Sequence, residues 1–239
     1  MNDDMQRLDD LEFSSYQGFN AQLVRWRYER LSRFFRGRRC LELGSSDGQG
    51  TEYLLRSFDE VVAVDGSAVA VATLRDRHPD HPGLTCVHAF FEDLDLPDRY
   101  DTVVLAHILE HVNDPQQVLA VARRHLAPGG CLIVDVPNAH SLHRQLGVAM
   151  GLLDRCTQLN EADLSIGHQR VYEPEVFEQE LLDAGLRIVE RGGVFLKLLS
   201  NAQTESVFEP AQLEGMLQLG DSMPELSAEI FAVCEADPG

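Results

Sequence analysis

Residues 39–50, RCLELGSSDGQG, constrain the fold of this chain more than any other stretch. Residues 40–43 form a short, mostly apolar run typical of a buried parallel strand, and Gly44 and Gly48 let the backbone turn tightly and approach a ligand. A helix predicted over residues 51–58 directs its free N-terminal amides at this turn. A second buried strand then ends at Asp65, where a doubly wound sheet binds a ribose. The stretch therefore predicts a site for a cofactor that contains a nucleoside.

Strand-like apolar segments alternate with helical segments along the rest of the chain. Such alternation predicts parallel strands joined by right-handed crossovers, with ligands bound at the carboxyl ends of the strands. The predicted fold class is therefore α/β, a Rossmann-like doubly wound, mostly parallel sheet. The predicted strands are residues 39–43, 60–64, 84–89, 100–105, 130–136, 186–194 and 228–235, and the predicted helices are 51–58, 68–78, 115–126, 147–155, 175–184 and about 209–219.

The elements around this alternation predict the domain organisation. Residues 1–38 are predicted to form an N-terminal helical cap, since apolar side chains recur at helical spacing before the first strand. This helix either closes the site or only covers a face of the sheet, and both interpretations remain open. Residues 39–239 are predicted to form one domain, with insertions at about 138–173 and 198–226 on the ligand face. Long connections on that face commonly carry substrate recognition.

Composition narrows the class of partner. The 39 acidic residues outnumber the 20 basic ones, and the net charge of −19 would repel a phosphate backbone, so nucleic acid is excluded. The five cysteines are scattered without zinc spacing, which indicates reduced thiols in the cytoplasm. No apolar run reaches membrane-spanning length, so we expect no membrane partner. The prediction is a cytoplasmic protein with a small-molecule substrate, in the form of a homodimer.

Several motifs together resemble one enzyme family. ELGSSDG at residues 42–48, the carboxylate at Asp65, residues 90–115, LAPGG at 126–130 and VDVPN at 134–138 are similar to class I S-adenosylmethionine-dependent methyltransferases that act on small molecules. Residues 167–186 are similar to the later part of many members. The family commonly has G-x-G in its first motif, whereas Ser46 stands here at the middle glycine.

The resemblance implies an S-adenosyl-L-methionine cofactor, a seven-stranded sheet with a reversed last strand, and methyl transfer to a small molecule. O-methylation is favoured over N-methylation, and sugars and secondary metabolites are the acceptors considered. The cofactor contacts implied are Glu42, Gly44, Ser45, Gly48, Asp65, Gly66, Phe91, Glu92, Ala106 and His107.

Methylation of a hydroxyl needs a nearby base, and histidine suits that role near neutral pH. The predicted catalytic bases are His111, His140 and His107, which follow predicted strands four and five. Carboxylates such as Asp114 and Asp135 form no evident ligand cluster, so no metal site is predicted. The residues predicted to contact substrate are Tyr16, His143, Arg144, His168, Arg170 and Tyr172.

Other interpretations of the same residues were weighed. Residues 44–48 also match the G-x-S-x-G elbow of α/β-hydrolases, with Ser46 as nucleophile and His168 in a triad, but no earlier strand is predicted to supply an oxyanion loop. Residues 107–111 match the zinc-protease pattern H-x-x-E-H, but they follow a buried strand too closely for a long helix, and a turn is favoured. A nicotinamide site fails at residues 46 and 49. A cofactor-binding protein without activity is the alternative from another class.

Overall fold

The structure, a computed structural model, describes residues 17–237. A seven-stranded sheet forms its centre, with the strand order β3-β2-β1-β4-β5-β7-β6. Strands β1 to β5 pair in parallel, and β7 lies antiparallel between β5 and β6. The predicted α/β class with a reversed last strand is therefore confirmed. The strands are β1 (Arg39–Leu43), β2 (Glu60–Asp65), β3 (Leu84–His88), β4 (Tyr100–Ala106), β5 (Leu126–Pro137), β6 (Leu186–Val194) and β7 (Glu229–Ala236).

Helices cover both faces of the sheet, as parallel strands require. They are α1 (Gly18–Leu31), α2 (Gln49–Leu55), α3 (Ala68–Arg77), α4 (Pro115–Arg124), α5 (Leu142–Ala149), α6 (Glu161–Ser165), α7 (Pro174–Asp183), α8 (Asn201–Val207) and α9 (Pro210–Ser222). Within residues 17–237, none of these helices combines the length and apolar character needed to cross a membrane.

Alternate side chains of the strands divide the core into two layers. In β5, Leu132 and Val134 pack towards α4 and α7, while Cys131 and Ile133 pack towards α1 and α9. This follows from the two-residue period of a strand. Helix α1 is anchored in the second layer by Trp26, whose ring stacks on Phe195 with centroids 5.2 Å apart.

Three helix assignments need correction, because one predicted helix is displaced and α6 and α8 were not predicted. The helix predicted over residues 147–155 instead spans Leu142–Ala149. It ends there because Gly151 adopts a left-handed φ of 72° and its N–H donates to the carbonyl of Val148. Helix α8 was not predicted, although Ser200 and Gln203 cap its start reciprocally. Residues 3–16 of the predicted N-terminal helix lie outside the described residues.

Candidate functional site

A small cleft opens at the carboxyl ends of β1 and β4. Helix α1 forms one wall, and the turn between β1 and α2 forms the other. Gly44, Ser45 and Ala106, three of the predicted cofactor contacts, line it. The complete lining is Val24, Arg27, Tyr28, Gly44, Ser45, Ser46, Asp47, Gln49, Gly50 and Ala106.

The turn after β1 is shaped by left-handed backbone. Gly44 and Gly48 have φ angles of 89° and 82°, and Ser46 between them has a φ of 46°. A Cβ atom at Gly44 would overlap the end of the Ile108 side chain, and the left-handed backbone itself favours glycine at this position. The N–H of Ser46 donates to Asp65 Oδ2 at 2.9 Å, as expected for a loop residue that provides its amide.

Asp65 stands at the end of β2, beside this turn. Its carboxylate also accepts from the N–H of Ser67, at 2.9 Å on Oδ1, and the residue is only 8% exposed. Burial raises the pKa of Asp65, and the amides of Ser67, Ser46 and Ser45 oppose that shift. A carboxylate offers about four lone-pair positions, so further donors such as ribose hydroxyls can still bind.

Glu42 lies under the cleft and is bonded to two helices. Its carboxylate accepts from Tyr28 Oη of α1 at 3.0 Å and from Thr51 Oγ1 of α2 at 2.6 Å. Burial raises the pKa of Glu42 to about 7, although both hydrogen bonds lower it. Because Tyr28 lines the cleft, Glu42 positions a side chain of the cleft wall through this hydrogen bond.

Four ionisable side chains meet next to the cleft, three of them buried and His107 partly buried, and we call them the Arg27 group: Arg27, His107, Asp135 and Glu229. Arg27 Nε lies 3.0 Å from Asp135 Oδ2, and Arg27 Nη2 lies 2.6 Å from Glu229 Oε1. His107 Nε2 lies 3.3 Å and 3.4 Å from the same two oxygens. Burial lowers the pKa of His107, but three surrounding carboxylates outweigh it and hold that pKa well above its usual value.

A second cluster begins on the other side of His107. His107 Nδ1 lies 3.0 Å from Glu110 Oε1, and His168 Nε2 lies 3.9 Å from the same oxygen. The rings of His111 and His168 meet edge to face with centroids 4.7 Å apart. Residues 107–111 form a turn after β4 rather than a helix, as favoured from the sequence, so the zinc-protease geometry is absent from this described turn.

The predicted substrate residues of the 138–173 insertion are largely engaged within the protein. Arg144 donates to the carbonyl of Cys156 and pairs with Asp163 at 3.1 Å. Arg170 Nη1 donates at 2.6 Å to the carbonyls of Leu109 and Val112. These contacts fasten the insertion to the turn after β4, and a role in acceptor binding stays a prediction.

The other predicted acceptor residues differ in their access to solvent. Tyr172 is buried and donates to Glu180 at 2.9 Å. Burial, with Lys197 and Arg144 nearby, lowers the pKa of His143 to about 2, so its ring is neutral. The side chain of His140 is 40% exposed, with Nε2 3.8 Å from Glu173. Tyr16 lies outside the described residues.

Comparison with known proteins decides the family. A family model described as a methyltransferase domain matches residues 16–191, well over half of the chain. The chain belongs to this family. A probable S-adenosylmethionine-dependent methyltransferase of Mycobacterium tuberculosis is 28% identical over 235 residues, 96% of this chain and 78% of the relative. The methyltransferase assigned here is thus an enzyme that uses S-adenosylmethionine, as the resemblance implied.

Two further proteins are similar to this methyltransferase. A ubiquinone biosynthesis O-methyltransferase of Rhodopseudomonas palustris is 26% identical over 174 residues, 69% of this chain and 64% of the relative. The crystal structure of an S-adenosylmethionine-dependent methyltransferase from Mesorhizobium loti matches with a TM-score of 0.64 at 18% identity, covering 87% of this chain and 97% of that one. At that identity, the likeness shows the fold alone.

Two serines of the turn after β1 line the cleft of the methyltransferase. The hydroxyls of Ser45 and Ser46 are buried and have no hydrogen-bond partner within residues 17–237. These two hydroxyls are unsatisfied polar groups at the turn, whereas both carboxylate oxygens of Asp65 already accept backbone N–H groups. Seven of the predicted cofactor contacts lie outside the cleft lining and stay predictions: Glu42, Gly48, Asp65, Gly66, Phe91, Glu92 and His107.

Sequence reasoning missed Arg27, Tyr28 and Glu229, and considered Asp135 only as a metal ligand. A signal was present for the carboxylates, because charged residues within strands that are otherwise apolar are rarely buried unless paired. The presence of these carboxylates did not show that Arg27 is their partner, because Arg27 is one of several arginines in residues 25–39.

Proposed function

We propose that this methyltransferase methylates a hydroxyl oxygen of a small-molecule acceptor. The observation that carries the proposal is the cleft between α1 and the glycine turn, bordered by the Arg27 group. The printed name of the Rhodopseudomonas palustris relative, an O-methyltransferase, supports oxygen as the acceptor atom. The net charge of −19 supports a small acceptor over nucleic acid.

The protein contributes chiefly by positioning. S-adenosylmethionine supplies an electrophilic methyl group on a sulfonium sulfur. Asp65 would bind the ribose hydroxyls, and Ser45 and Ser46 would bond other polar atoms of the cofactor. Helix α1 limits the access of water through Arg27 and Tyr28. Correct orientation in such a closed site is worth about 7 to 11 kcal/mol of the barrier at best.

We assign the base to His140, which follows β5. The high pKa of His107 keeps its ring protonated, so it has no lone pair for the acceptor proton. The side chain of His140 is partly exposed, its backbone N–H donates to Asn138 Oδ1 at 2.8 Å, and its ring Nε2 lies 3.8 Å from Glu173. In the proposed step, the acceptor oxygen bonds to the methyl carbon as the methyl–sulfur bond breaks, and the hydroxyl proton passes to His140.

The proposal also includes the domain organisation, the oligomeric state and the cellular compartment of the enzyme. Residues 1–38 act as a cap on a catalytic domain of residues 39–239, and the enzyme works as a homodimer. The free thiols of Cys40, Cys86, Cys131, Cys156 and Cys234 support the reducing environment of the cytoplasm. The hydrolase alternative lacks support, because the Ser46 hydroxyl has no hydrogen-bonded base among the residues described.

Calorimetric titration with S-adenosylhomocysteine tests the cofactor site. We expect the wild type to bind and Asp65→Asn to bind more weakly by roughly 1 to 3 kcal/mol, because the ribose hydroxyls lose a charged acceptor. Asp76→Asn, an exposed position on α3, is the matched control and should bind as the wild type does. Equal affinity of Asp65→Asn and wild type would refute the role of Asp65, and no binding by the folded wild type would refute the cleft as the cofactor site.

Turnover tests the base. With an acceptor found by screening hydroxylated small molecules, His140→Gln should lower kcat by about a hundredfold or more at neutral pH. Its affinity for S-adenosylhomocysteine should not change, which separates the loss of a base from misfolding. Unchanged kcat in His140→Gln would exclude His140 as the base.

A further inference from the structure

A buried carboxylate outside the cofactor cleft is poorly satisfied. Glu110 is fully buried, and neither of its oxygens has a hydrogen-bond partner of normal geometry among residues 17–237. Histidine rings surround it instead, with His107 Nδ1 at 3.0 Å and His168 Nε2 at 3.9 Å from Oε1. The protonated ring of His107 also faces Asp135 and Glu229, so its single positive charge is shared among three carboxylates and compensates Glu110 only in part.

Three side chains here converge on one point. Glu110, His111 and His168 each offer one ligand atom, and these atoms lie within 4.8 Å of one another. We propose that these three residues bind one divalent transition-metal ion. Two imidazoles and one carboxylate suit Zn²⁺, Co²⁺, Mn²⁺ or Fe²⁺ and leave coordination positions open, whereas Mg²⁺ and Ca²⁺ prefer oxygen ligands throughout.

The surroundings of the three ligands hold them in place. The N–H of Gln169 donates to the carbonyl of Glu110 at 2.8 Å, and Gln169 Nε2 donates to the carbonyl of His111 at 2.6 Å. The turn after β4 is thereby tied to the segment that carries His168. The two segments therefore present their ligands together before an ion arrives, which lowers the cost of binding.

An outer carboxylate orients the most distant ligand. His168 Nδ1 lies 3.5 Å from Asp163 Oδ1, on the side of the ring opposite Nε2. A carboxylate at one nitrogen of a ligating histidine fixes the tautomer that leaves the other nitrogen free for the metal. Nε2 is the nitrogen that faces Glu110.

The neighbouring Arg27 group contains similar donors, but it does not suit an ion. His107, Asp135 and Glu229 also lie within reach of a common point. However, Arg27 binds both carboxylates of that group directly, at 3.0 Å and 2.6 Å. Its guanidinium already supplies the compensating charge and would repel a second cation.

The site would also serve the chemistry proposed above. His107 joins the two clusters, and Arg27 of the first cluster lines the cofactor cleft. On the proposed O-methylation, an ion with open positions would bind the acceptor oxygen and lower the pKa of its hydroxyl. Only this role rests on the proposed function, because ion binding can be measured without cofactor or acceptor.

Equilibrium dialysis of the untagged, chelator-treated full chain tests the site. We expect one equivalent of Zn²⁺ or Co²⁺ per chain, and at least about tenfold weaker binding in Glu110→Gln. His81→Gln changes an exposed histidine near His78 and is the matched control, which should bind as the wild type does. Absence of stoichiometric binding to the wild type, unchanged binding in Glu110→Gln, or loss of binding in His81→Gln would each overturn the proposal.

A variant that gains an absorption band distinguishes a lost metal site from a misfolded protein. His111→Cys should place a thiolate on bound Co²⁺ and produce a sulfur-to-cobalt charge-transfer absorption that the wild type, with its five other cysteines, does not show. A folded His111→Cys variant without that absorption would refute the site. Titration with S-adenosylhomocysteine in the absence of metal tests the cofactor site separately from the metal site. A protein that binds the ion but not S-adenosylhomocysteine would refute the cofactor site in the cleft and leave the metal site supported.

Discussion

At the scale of single residues, Glu42 is a buried carboxyl group that hydrogen bonds hold in place while burial disfavours its charged form. The residue is 1% exposed within β1, and its two hydrogen bonds come from side chains of α1 and α2. Burial outweighs these bonds and raises its pKa to about 7. In the unfolded chain a glutamate has a pKa of about 4.3. The folded state therefore retains a proton that the unfolded state releases.

This difference predicts a dependence of stability on pH. Below about pH 4 both states are protonated at Glu42, and from there to about pH 7 the unfolded state is increasingly favoured by losing its proton. The free energy of unfolding of Glu42→Gln should rise relative to the wild type by roughly 2 to 3 kcal/mol between pH 4.5 and pH 8, measured by urea denaturation. Glu29→Gln, whose side chain is 55% exposed, should follow the wild type. If the free energies of unfolding of Glu42→Gln and the wild type changed in parallel with pH, the raised pKa of Glu42 would be contradicted.

At the scale of elements, α1 both covers the sheet and forms a wall of the cleft. Trp26 packs in the core against Phe195, while Arg27 and Tyr28 line the cleft. Helix α1 thus packs on the sheet and lines the cleft, and its role as a cap that closes the site stays a prediction. Position 27 is the junction, because its guanidinium compensates the buried carboxylates of Asp135 on β5 and Glu229 on β7.

Removal of that charge should destabilise the fold. In Arg27→Met, the two buried carboxylates lose the nearer of their two cations and keep only the His107 ring, and we expect the free energy of unfolding to fall by about 3 kcal/mol at neutral pH. Arg25→Met on the same helix removes an exposed pair with Glu29 and should cost no more than about 0.5 kcal/mol. Equal denaturation midpoints for the two variants would show that the Arg27 group does not hold α1 to the sheet.

At the scale of the whole molecule, the parts that sequence predicted are those written in local patterns. Most strands are short apolar runs bounded by turn residues, and the cofactor turn lies within residues 39–50. Local sequence patterns were therefore enough to predict the strands and the turn. Helix α5 was misplaced because its apolar pattern continues past Gly151, whose backbone conformation ends the helix. The two ionisable clusters were not predicted, because Arg27 and Glu229 are 202 residues apart in sequence and meet only after the sheet has formed.

The reversal of β7 also determines when the site can be completed. Because β7 runs against β5, its first residue, Glu229, pairs opposite Pro137 at the end of β5, next to the cleft. Since β7 is also the last strand in the sequence, a ribosome must synthesise all six other strands before Glu229, one of the two carboxylates that join Arg27 to the sheet, exists. A nascent chain can form the glycine turn early, but it closes the wall beside that turn only when the last strand is inserted.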